Sequence, residues 1–142
     1  MESTVVWQRV EGAVVLLSAL AIYFYLGAEF SWWLALLVFL APDISVVTYL
    51  IGPKTGSIGC NLVHLYAFGA FFLACGLVTG SMTVATLGAL WLAHSGFDRM
   101  LGLGLKSQEG FYVTHLGPIG LICRTVRMNR ERNSPLPVRL RR

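Results

Sequence analysis

Four long apolar runs, each closed by a polar or glycine-containing break, organise the chain up to Arg99. The first runs from Gly12 to Ala28, and Glu29 with Trp32 and Trp33 marks its far edge as an interface, where indole rings anchor at headgroup level. The second runs from Ser31 to Ile51 and contains Pro42-Asp43. Gly52-Pro53-Lys54-Thr55-Gly56 then reads as a turn. The third run spans Ser57–Leu77, Thr79-Gly80-Ser81 turns the chain, and the fourth spans Met82–Phe97. Each is close to the ~20 apolar residues that cross a bilayer as a helix.

Beyond Arg99 the pattern changes. Gly102, Gly104 and Gly110 make a glycine-rich stretch. Thr114–Met128 then sets Leu116, Ile119, Leu121 and Ile122 against Arg124 and Arg127, which predicts a short interfacial helix. From residue 129 the basic tail, with Pro135 and Pro137, is expected to be disordered. The expected architecture is all-α, a polytopic membrane protein with one domain over residues 1–128. It is a four-transmembrane-helix bundle carrying a short interfacial C-terminal helix. The N-terminus lacks a basic n-region and a small-x-small cleavage site, so the first run reads as a retained span.

Composition agrees: 56% of residues are hydrophobic, only 13% are charged, and mean hydropathy is +0.67. Soluble domains carry roughly 25% charged residues. The net charge of +4 is concentrated in the tail, where seven arginines from Arg124 to Arg142 face only Glu131. Arg9, Lys54, Arg99, Lys106 and this tail fall on one side of a four-span topology, and Glu29 on the other. The positive-inside rule then places both termini in the cytoplasm. The basic tail suits anionic lipid. No aromatic or globular reader accompanies it, so nucleic acid is not an expected partner. Cys60, Cys75 and Cys123 have no disulfide or zinc-finger spacing.

Against this apolar background the few ionisable residues stand out. Asp43, His64, His94 and Asp98 fall within or at the ends of the runs, and His115 follows. A charge in hydrocarbon costs at least a few kcal/mol, so such residues mark a functional site by default. By helical rise, Asp43 lies roughly 13 Å and His64 roughly 10 Å from the cytoplasmic ends of their spans. His94 and Asp98 lie at that same side, so all four share one leaflet.

His94 and Asp98, four apart, share one helical face and have the spacing of helical carboxylate–histidine metal sites. The competing reading is a local ion pair, and the adjacent Arg99 can equally neutralise Asp98 or hold a phosphate. Asn61 and His64 share a face at i,i+3 and can orient one another, bind a polar group, or join helices. Pro42 bends the span beside Asp43, an arrangement of ion and proton sites. The alternative is a carboxylate kept neutral by burial, or paired with His64 or Arg99. His115 can fold back as a further ligand or lie plainly at the interface. Lys106, beside Gly102 and Gly104, suits a lipid or substrate phosphate. Gly76-x-x-x-Gly80 matches a helix-packing pattern at a helix end and carries little weight. Asp43, His64, His94, Asp98 and His115 together suit zinc, manganese or iron, and without metal a His–Asp pair can act as general base.

These residues fall into recognisable motifs. Ala41-Pro42-Asp43 with Tyr49 and Gly52 precedes Asn61-x-x-His64. Trp91-Leu92-Ala93-His94-x-Gly96-Phe97-Asp98-Arg99 then runs into Gly102-x-Gly104-Leu105-Lys106, and Thr114-His115-Leu116-Gly117 closes the set. In them the chain resembles domain-of-unknown-function family 4260, small bacterial integral membrane proteins, over residues 12 to 120. It departs at Thr48, Cys60 and Ser95, none of which is a candidate ligand. The resemblance implies a bacterial inner-membrane protein of about four helices and implies no activity. A looser likeness to membrane-bound metal-dependent hydrolases rests on Pro-Asp and Thr-His elements alone.

Three function classes fit. The first is a membrane enzyme whose His/Asp cluster opens at the cytoplasmic leaflet and acts on a lipid or another membrane-dissolved substrate. In it Asp43, His64, His94, Asp98 and His115 bind metal or move protons, and Asn61, Arg99 and Lys106 hold the substrate. The second is a non-enzymatic assembly or interaction protein whose polar residues join helices. The third is a small ion-coupled transporter, which four short spans would require to be a homo-oligomer. A haem held by His64 and His94 is a variant of the first.

Overall fold

A computed structural model describes residues 2–27, 30–108, 110–114 and 117–118 of the protein. Helix α1 (Glu2–Tyr25) begins well before the expected Gly12, and its first turns are mostly exposed. Arg9 Nε donates to the Met100 carbonyl at 2.9 Å. Helix α2 (Trp32–Leu40) continues without a turn into a 3-10 helix, Ala41–Leu50. The change of winding falls at Pro42, which lacks the N–H that an α-helix would use. Runs of 3-10 helix beyond three or four residues are uncommon and often mark a functional hinge.

The third apolar run is not one helix. It divides into α3 (Pro53–Val63) and α4 (Tyr66–Thr79), bent by 41° across His64 and Leu65. Gly80, at φ 71°, ends α4 in the left-handed conformation, and Ser81 caps α5 (Met82–Leu101). α5 ends at Gly102, where Gly102 N–H bonds Arg99 O at 2.9 Å and Leu103 N–H bonds Asp98 O at 2.8 Å. This paired motif satisfies the last carbonyls and turns the chain back towards α3.

The glycine-rich stretch then forms three short antiparallel strands, β1 (Lys106–Ser107), β2 (Gly110–Thr114) and β3 (Gly117–Pro118), in the order β1-β2-β3. Lys106 pairs with Thr114, and Thr114 with Gly117. The interfacial helix predicted from Thr114 is therefore absent at its start, where Thr114, Gly117 and Pro118 are sheet residues. Its remainder, with Cys123 and the basic tail, lies outside the described residues, as does Glu29.

α5 is the inner helix, with α1 and α4 packed along it. Nine of its residues are buried, among them Ala85, Gly88, Ala89, Ala93 and Gly96. These small residues let the backbones approach: a Cβ on Gly88 would strike the backbone of Leu73, and one on Gly96 that of Leu16. Close backbone contact at small residues is how helices associate where lipid removes the usual hydrophobic drive. Gly76, set aside on sequence grounds, sits in this seam against Ala85, whereas Gly80 only makes the turn.

Two helical stretches, Ser3–Tyr25 and Trp32–Leu50, are long and apolar enough to cross a membrane, and the bent α3–α4 pair makes a third if it is one span. α5 is not among them. Shielded by its neighbours, it buries the polar side chains of Thr86, His94 and Ser95.

Candidate metal centre

Two members of the cluster are placed by irregularities of the backbone and two by a regular helix. Asp43 lies in the first turn of the 3-10 helix, directly after buried Pro42. His64 is the residue that ends α3, at φ −95° and ψ 7°, so it stands at the break. His94 and Asp98 project from one face of α5, a turn apart.

The four side chains converge. His94 Nε2 is 3.2 Å from His64 Nε2, and His64 Nε2 is 3.5 Å from Asp98 Oδ2. Asp43 Oδ1 is 3.6 Å from both histidine Nε2 atoms. One ligand atom from each residue lies within 4.8 Å of all the others. Ligands held about 2.1 Å from a tetrahedral ion stand about 3.4 Å apart, so the spacing has the scale of a four-coordinate site.

The histidine tautomer supports the same chemistry. His64 Nδ1 is 2.7 Å from the Cys60 carbonyl, which only accepts, so Nδ1 carries the proton. The neutral ring then offers its Nε2 lone pair to the centre, the outer-sphere arrangement common to metal-bound histidines. Two carboxylates and an imidazole lone pair, all acceptors, thus face one point. A cation or shared protons must bind there to offset their repulsion.

The break that presents His64 is held from outside. Trp91 Nε1 donates to the Val63 carbonyl at 2.7 Å, satisfying a group that a continuous helix would have used. The Trp91 ring lies 5.2 Å from that of Phe68, in the first turn of α4. Trp91 therefore touches both sides of the break, one turn before His94. Sequence reasoning did not assign it this part; the available signal was its i,i+3 spacing to His94. Phe39 of α2 closes another side, edge-on to His94 at 5.3 Å between ring centres.

The other candidates fall into three groups. Asn61 is committed to the chain itself: its Nδ2 donates to Lys106 O at 2.9 Å, and Lys106 N–H donates to its Oδ1 at 2.6 Å. It clasps β1 onto α3 and so sets Lys106 beside the centre. Burial holds the Lys106 ammonium below its usual range, while the charges of Asp98, Cys60 and Asp43 act in the opposite direction. Arg99 is not brought to the cluster, since its guanidinium stands 6.0 Å from the Tyr66 ring centre. His115 lies outside the described residues.

No curated protein and no solved structure matches the chain. The sequence profile of one family does, over residues 5–119, a range that holds every helix of the bundle except the first turn of α1, and all four converging side chains. The chain is thus a member of the domain of unknown function family DUF4260.

Proposed function

We propose that the protein is a membrane-embedded enzyme that uses a divalent metal, zinc, manganese or iron, held by His64, His94, Asp98 and Asp43. The observation that carries this reading is the convergence of those four ligand atoms within 4.8 Å. Bound there, the metal would supply Lewis acidity to a substrate oxygen or an activated water. Lys106, set beside the centre by Asn61, suits an anionic group on a lipid or other membrane-dissolved substrate.

In this reading the chain crosses a bacterial inner membrane four times. α1, α2 with the 3-10 helix, and the α3–α4 pair face lipid, and α5 runs inside them. Both termini and the centre lie towards the cytoplasm, where basic residues gather. Elemental analysis of detergent-purified protein is expected to find one metal ion per chain, lost in His64→Ala and His94→Ala. Folded wild-type protein without metal, after reconstitution with zinc, manganese and iron in turn, would reject it.

The break between α3 and α4 favours a second reading, an ion-coupled carrier, because interrupted spans build ion sites in transporters. Ion flux in proteoliposomes, absent from His94→Ala vesicles, would move the assignment there.

A further inference from the structure

The four side chains of the centre are unequal. The exposures of His64, His94 and Asp98 are 15%, 2% and 18%, whereas that of Asp43 is 55%. The first three belong to the packed contact between α5 and the α3–α4 break. Asp43 comes from the outer segment, where Ala35 and Pro42 are the buried residues of α2 and the 3-10 helix. Two imidazoles and one carboxylate grouped on one side are the donor set of metal sites that keep an exchangeable position.

The surroundings of Asp43 indicate what reaches that position. Side chains three apart eclipse in a 3-10 helix, so Leu40 and Val46, three before and three after Asp43, share its face, and they are 44% and 41% exposed. A carboxylate in such a rim opens onto hydrocarbon-like surface.

Building on the metal reading above, we infer that His64, His94 and Asp98 are the permanent ligands and that Asp43 is the exchangeable group at the open edge. There the oxygen-bearing head of an acyl-chain amphiphile enters sideways from the bilayer. When that oxygen takes the place of Asp43, the freed carboxylate lies beside it. It can then accept the proton of a hydroxyl or water there, the O–H bond breaking as Asp43 becomes protonated. The apolar rim holds the chain of the same molecule.

Cobalt(II), which reports ligation by its visible spectrum, tests this in detergent-purified protein. Asp98→Asn and His64→Ala are expected to weaken cobalt binding at least 100-fold. Asp43→Asn and Asp43→Ala are expected to keep it within tenfold and to shift the spectrum, with helical circular dichroism unchanged. Cobalt-loaded wild type is then titrated with acetohydroxamate and octanohydroxamate. Octanohydroxamate is expected to bind at least tenfold more tightly, since each buried methylene contributes roughly fourfold. Its partition into micelles works against that result. Loss of cobalt in Asp43→Asn as complete as in Asp98→Asn would overturn the division of roles while leaving the metal centre in place. Equal binding of the two hydroxamates would overturn entry from the bilayer. A wild type that takes no cobalt, nor zinc, manganese or iron, removes the metal reading itself and this inference with it.

Discussion

α5 and the segment formed by α2 with the 3-10 helix are built on opposite rules, and the centre joins them. α5 is lined with glycine, alanine and buried polar residues and is shielded by α1 and α4. The outer segment is almost wholly apolar, yet most of its large side chains, from Trp32 to Leu50, are exposed. In α5 polarity is tolerated because protein surrounds it, and side-chain size is what the site restricts. In the outer segment size is free and polarity is restricted, with Asp43 the acidic exception. The outer helix is therefore long and apolar enough for a span, whereas α5, counted as a fourth run in the sequence, is not.

The sharpest way to break this contrast is to exchange the rules. Gly88→Val drives a side chain into the backbone of Leu73, so a loss of about 3 kcal/mol is expected, read as a lower unfolding midpoint in detergent. Val47→Ala, on the exposed face, should change stability by less than about 0.5 kcal/mol. Equal effects at the two positions would dissolve the distinction.

The next largest effect concerns how the inner helix holds the break. Trp91→Phe keeps the ring but removes the N–H on the Val63 carbonyl. Outer-sphere losses of this kind typically weaken metal 10- to 100-fold, while one hydrogen bond contributes only about 1 kcal/mol to stability. Metal affinity equal to wild type would show that the break is set by α3 and α4 alone. Smaller still, Asn61→Ala frees the backbone of Lys106. Its amide should exchange hydrogen faster by about tenfold, with the unfolding midpoint nearly unchanged. If its exchange is unaltered, the strands hold themselves.

The cluster was legible in the sequence because ionisable residues in apolar runs are few. Asp43, His64, His94 and Asp98 had little else to pair with once they were assigned to one leaflet. The helical class and the breaks at Gly52 and Gly80 were legible for local reasons, as glycine punctuates an apolar run wherever it must turn, but Pro53–Gly56, read as part of a turn, open α3 instead, with proline at its first position. What escaped was non-local. Nothing near His64 announces a break, because the group that stabilises it, the Trp91 indole, arrives from another helix. The strands after Gly102 depend on Asn61, far away along the chain, and a glycine-rich stretch carries no period of its own to reveal them. Arg99 looked like part of the centre by adjacency to Asp98, but neighbours in a helix point about 100° apart, and its guanidinium went to Tyr66.

The 3-10 winding also sets a length. At a rise of about 2.0 Å per residue instead of 1.5 Å, the stretch Trp32–Leu50 extends to about 33 Å rather than about 28 Å. The hydrocarbon thickness of a bilayer is about 30 Å. The segment is thus long enough for that thickness because its second half is stretched, with no added residues. All of the surplus lies in the turns that begin at Ala41 and carry Asp43. One stretch of backbone therefore sets both the length of the outer helix and the position of the carboxylate beside the two histidines.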